Sequence, residues 1–163
     1  MTVAAPIRPQ RQQLRQQQPV VTRDHRTTLP ASPHAVAEAR RQVRAAVRYW
    51  RLPVDIDAAA VCTSELVTNA VTHDGATPSG NPASPGSPDG ATAVVLSITA
   101  GDGRLRVDVY DSSPLPPVPR DRVSPYAESG RGLRLVDCLA SGWGSYPTAT
   151  GKAVYFTLDF ADE

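Results

Sequence analysis

Ser64-Glu65-Leu66-Val67-Thr68-Asn69-Ala70-Val71-Thr72-His73 carries two patterns at once. Leu66, Val67, Ala70 and Val71 recur at helical spacing and point to a core, whereas Glu65, Asn69 and His73, spaced four apart, line up on a different face. The spacing predicts an amphipathic helix from about Asp57 to Asp74. A polar line on one helix is most often a solvated surface, so its meaning depends on what flanks it.

Upstream, Ser32-Pro33 is a helix-start signal, and Val36, Ala39, Val43, Ala46, Val47 and Trp50 follow at helical spacing, with Arg40, Arg44, Arg48 and Arg51 on another side. That helix should end near Leu52-Pro53. Downstream, Val94, Leu96 and Ile98 alternate, Gly101-Asp102-Gly103 forms a tight turn, and Leu105, Val107 and Val109 alternate again, which is the signature of a β-hairpin. Strand side chains switch faces at every residue, so Asp111 shares the inward parity of those three apolar residues and, half-buried or buried, needs a partner. Gly130-Arg131-Gly132 opens a third helix with Leu133, Val136, Leu139 and Ala140 on one side. A last strand carries Val154, Phe156, Leu158 and Phe160, preceded by a turn at Pro147 to Gly151 and a strand near Trp143 to Tyr146. Trp50, Trp143, Tyr155 and Phe156 read as core. Three helices and four or five strands, each with one apolar side, predict an α+β fold: a two-layer α/β sandwich on a mixed, mostly antiparallel sheet.

A chain of 163 residues, 40% hydrophobic and 20% charged, is enough for one core and not for two. Residues 1–26, Gln- and Arg-rich, have too few apolar groups to offset the entropy of ordering and read as a disordered tail before a single domain at 27–163. Within that domain, about 75–92 holds Pro78, Pro82, Pro85 and Pro88 among Gly, Ser, Asn and Asp and reads as a surface insertion. The Pro-rich piece 112–129 reads as a long loop of the kind that forms lids. Net charge is +1, and Arg8, Arg11, Arg15, Arg23 and Arg26 all lie in the tail. The folded part therefore lacks an evident basic face, which argues against a nucleic-acid partner. Cys62 and Cys138 sit apart in apolar stretches, expected as reduced, buried thiols rather than a disulfide or metal pair. No continuous apolar segment suggests a leader or a membrane span, so the expected location is cytoplasmic.

The order of parts then matters: an acid and an amide on a helix, an Asp closing a strand, a Pro-rich loop, and a Gly-x-Gly turn opening another helix. An amide oxygen suits Mg²⁺, an inward Asp can accept a hydrogen bond from an exocyclic amine, and two glycines let backbone approach phosphate at a helix N-terminus. Ser64 to His73 resembles the N-box of the GHKL ATPase and kinase superfamily, whose nucleotide-binding domain is the Bergerat fold. Asp111-Ser112-Ser113-Pro114 is similar to the first glycine box as it stands in the small bacterial anti-sigma-factor serine-kinase branch. Gly130-Arg131-Gly132-Leu133-Arg134-Leu135-Val136 resembles the second. The likeness spans roughly residues 27–160.

The resemblance implies ATP and Mg²⁺ as cofactors. It makes Asn69 the metal ligand, Asp111 the adenine selector, Gly130, Arg131, Gly132 and Leu133 the phosphate-binding turn, His73 and Arg131 further phosphate contacts, and Glu65 the general base. Ser112, Ser113 and Pro114 replace the glycines that follow the Asp in histidine kinases, which excludes that activity. Where many relatives carry a hydroxyl residue near the adenine on the last strand, Lys152-Ala153 stands here. The implied function is a serine/threonine kinase that phosphorylates a small antagonist protein and/or sequesters a sigma factor, and a homodimer is compatible with it. The alternative is a catalytically weak nucleotide-sensing interaction module.

Overall fold

The structure is a computed structural model, and it describes residues 22–74, 93–113 and 131–161, without the side chains of His73, Asp74 and Arg131. Along the chain run β1 (Arg23–Pro30), α1 (Pro33–Trp50), α2 (Ile56–Asp74), β2 (Ala93–Gly101), β3 (Arg104–Asp111), α3 (Arg131–Leu139), β4 (Gly142–Thr148) and β5 (Gly151–Asp159). The five strands form one sheet in the order β1-β2-β3-β5-β4. Every described pair is antiparallel, so no parallel pairing accompanies it. The helices pack on one face of the sheet, which gives the two layers that the apolar patterning predicts.

Local signals set the element ends. Pro33 begins α1 where its missing N–H costs nothing, and the Ser32 carbonyl accepts the Ala35 N–H at 2.9 Å. The helix closes with Arg51 in the left-handed region at φ 54°, while the Leu52 N–H reaches back to the Val47 carbonyl at 3.0 Å. Asp55 then caps α2, its Oδ1 accepting the N–H groups of Asp57 and Ala58 at 2.8 and 3.1 Å. Arg44 of α1 pairs with Asp57 at 2.7 Å and ties the two helices near that cap. At the hairpin, Asp102 and Gly103 both take positive φ, 50° and 75°, as a two-residue turn between twisted strands requires.

Cross-strand register stacks the core. Leu96, Val109 and Val154 lie in one row, and Ile98, Val107 and Phe156 in the next, all buried beneath α1 and α2. Alanines at 35, 39, 46, 58, 59 and 70 keep the helix surfaces low, so both helices sit close to the branched side chains of the sheet. Leu133 and Val136 extend that core under α3.

Two expectations about the strands change. Residues 23–26, read as the end of the tail, are the first half of β1, an edge strand in full register with β2 from Arg23↔Ala100 to Pro30↔Ala93. Only Leu29 of that strand is fully buried, so its sequence lacks the apolar alternation that reveals a strand. Residues 1–21, the insertion 75–92 and most of the 112–129 loop lie outside the described residues. Tyr155 faces away from the helices: Arg106 stacks over its ring at 3.9 Å, and Arg106 also pairs with Asp108, which accepts the Tyr146 hydroxyl hydrogen bond at 3.0 Å. The outer face of the sheet thus carries a polar and aromatic network, not a second core.

Cys138 is exposed, contrary to the expectation, and Cys62 is fully buried. Burial first, and the nearby Glu65 charge second, push the Cys62 thiol up to about 11. Between pH 9 and 11 the folded chain keeps a proton that the unfolded chain releases, so this contribution to stability is full below pH 9 and is lost as pH rises through the window. Maleimide should label Cys138 in the native protein and Cys62 only after unfolding. The fall in melting temperature from pH 8.5 to 10.5 should be shallower in Cys62→Ala. No helix among the described residues is long and apolar enough to cross a membrane.

Candidate functional site

Glu65 and Asn69 sit one turn apart on α2 and are half-buried, whereas Thr68 and Thr72 between and beyond them are exposed. The neighbouring hydroxyls turn back on the helix: Thr63, Ser64 and Thr72 each donate to the carbonyl four residues earlier at 2.8 Å. His73 lies one turn further on the same helix, and its side chain is outside the described residues.

The carboxylate of Glu65 lies against the start of α3. A Cβ placed on Gly132 would collide with Glu65 Oε2 and sit 3.3 Å from its Cδ. The first turn of α3 contains no acidic residue of its own, and Glu65 of α2 brings a negative charge against it. Gly132 is thus small because a carboxylate occupies the space a side chain would fill. Leu133 anchors the turn from below, with its side chain buried at 6% exposure. Gly130 and the Arg131 side chain fall outside the described residues.

Asp111 closes β3 on the helix-facing side, as its parity requires. Its Oδ1 accepts the Ser113 N–H at 2.9 Å, an Asx turn that directs the chain out of the strand, and the Lys152 ammonium at 3.0 Å. Both members of that ion pair are buried, with side-chain exposures of 2% for Asp111 and 6% for Lys152. Lys152 is the residue directly across from Asp111 in the β3–β5 register. Beside it, a Cβ on Gly151 would run into the Asp111 carbonyl oxygen and lie 2.7 Å from Ser112 Cα. Only glycine lets β5 begin so close to the end of β3.

Lys152 escaped the sequence reading as a site residue. The signal was available, since 152 has the parity of Val154, Phe156 and Leu158 on β5 and so had to face inward beside Asp111. Helix α2 packs against both β3 and α3 and joins the two halves of the arrangement. Elsewhere, a groove of about 790 Å³ runs between β1 and α1 past His25, Glu38, Arg41 and Tyr49, and no candidate residue lines it.

Glu65 of α2 thus meets Gly132 of α3, and Asp111 meets Lys152 at the end of β3, on the face of the sheet that the helices cover. No curated protein matches the chain. Residues 29–158 match the family described as the histidine kinase-like ATPase domain, a stretch that runs from the end of β1 through all three helices to β5, and the chain belongs to this family of ATP-binding domains.

Proposed function

We propose that the domain binds Mg-ATP and acts as a protein serine/threonine kinase of the anti-sigma-factor type, phosphorylating a small antagonist protein and sequestering a sigma factor when unopposed. The observation that carries this reading is the position of Glu65, whose carboxylate rests on Gly132 at the opening of α3. A helix N-terminus opened by glycine is suited to phosphate oxygens, and a carboxylate at that point supports a role for Glu65 next to them.

In this reading Asp111 accepts a hydrogen bond from the adenine amine. The backbone of Gly130 to Leu133 takes the phosphates, joined by His73 and Arg131, and Asn69 offers its amide oxygen to Mg²⁺. Among the described residues no group of three His, Cys, Asp or Glu side chains could hold a metal. An ion that arrives on the triphosphate needs only one or two protein oxygens, which a single amide satisfies. When bound, Mg²⁺ neutralises phosphate charge. Glu65 orients the serine hydroxyl of the partner and takes its proton as the oxygen bonds to the γ-phosphorus and ADP leaves. The protein's contribution is position and charge rather than covalent chemistry.

The test is thermal unfolding of the full chain with and without Mg-ATP. Ligand at about 100 times its dissociation constant should add roughly 2.7 kcal/mol of stability. Asn69→Ala should lose most of the Mg²⁺ dependence of that gain. A melting temperature indifferent to adenine nucleotides at millimolar concentration would sink the proposal.

A further inference from the structure

The ammonium of Lys152 is buried, yet among the described residues its one hydrogen-bond acceptor is Asp111 Oδ1, at 3.0 Å. An ammonium carries three donors, and a buried donor left unmet is costly, more so when charged. Lysine is also a poor choice for a merely structural partner here, because apolar residues of similar volume usually replace a buried ion pair without loss. A site that keeps a buried ammonium with donors to spare is furnished for an acceptor that arrives from outside.

We infer that Lys152 is a base-reading, specificity-determining residue, donating a hydrogen bond to adenine N1 while Asp111 accepts one from the adjacent 6-amino group. The inference rests on the reading of Asp111 as the base-binding carboxylate. Adenine places an acceptor and a donor on neighbouring atoms of one edge, and the Lys152–Asp111 pair places a donor and an acceptor side by side, 3.0 Å apart. A carboxylate oxygen accepts, so a base edge that offers a second acceptor at that point finds no donor in Asp111.

The experiment is titration calorimetry of the full chain with Mg-ATP, Mg-1-deaza-ATP, Mg-7-deaza-ATP and Mg-GTP. A hydrogen bond to a charged donor is lost in the 1-deaza compound, so its affinity should fall about 10- to 100-fold, while the 7-deaza compound should stay within about threefold of ATP. In Lys152→Met the gap between ATP and 1-deaza-ATP should close. Should that variant not fold, Lys152→Gln keeps a neutral donor, and the gap should shrink to less than about tenfold. Equal binding of ATP and 1-deaza-ATP by the unaltered protein, a gap that persists undiminished in both variants, or a preference for GTP would each overturn the inference and leave the nucleotide site standing. No binding of any of the four would overturn the nucleotide site itself and the inference with it.

Discussion

Lys152→Met is expected to destabilise the domain by about 3–5 kcal/mol, because it removes one member of a buried ion pair at 3.0 Å and keeps the other. For a chain of this size that is a drop in melting temperature on the order of 10 °C or more. The size of the effect follows from burial rather than from the pair's net worth: Arg41–Glu38, a surface pair at 2.6 Å, should contribute little despite its shorter contact. The double variant Asp111→Leu with Lys152→Met should recover part of the loss, since two apolar side chains facing each other across β3 and β5 replace both members of the buried pair. Denaturant unfolding of the two singles and the double decides it. A Lys152→Met protein as stable as the parent would mean that the pair does not organise this end of the sheet.

Glu65→Gln should lower phosphate transfer to a serine-bearing partner about 10²- to 10⁴-fold while leaving stabilisation by Mg-ATP in place. The amide keeps the shape of the side chain and its contact with α3 but cannot take a proton. Gly132→Ala provides an independent route to the same site. Its added methyl would meet the far end of the flexible Glu65 side chain, which can swing aside, so stability should change by less than about 1 kcal/mol. The carboxylate would nevertheless be displaced, and transfer should fall with it. Steady-state phosphorylation measured alongside melting temperature separates the two effects. Full activity in Glu65→Gln would remove Glu65 from the chemistry.

Most of this architecture was legible because its elements are half-buried and therefore periodic. The α2 line, the β2–β3 hairpin and the inward parity of Asp111 follow from spacing alone. β1 was not legible, because an edge strand paired on one side needs little apolar surface, and RDHRTTLP shows almost none. Tyr155 misled for a related reason: an aromatic residue in an apolar strand suggests core, yet the strand's other face holds Arg106, whose guanidinium suits the ring equally well. Lys152 was passed over because a lysine is expected in water, and only the register with Asp111 gives it a reason to be inside. The contact between Glu65 and Gly132 joins residues far apart in the chain, so no local pattern could announce it.

Gly151 has a consequence for anyone who wishes to re-engineer the domain. At this corner the main chains of β3 and β5 are themselves the wall, with no room for even a methyl group between them. Residues 111 and 152 can be varied together, because those positions carry side chains into the interior rather than main chain against main chain. Diversity at 151 should return only glycine among folded clones, whatever ligand is used for selection.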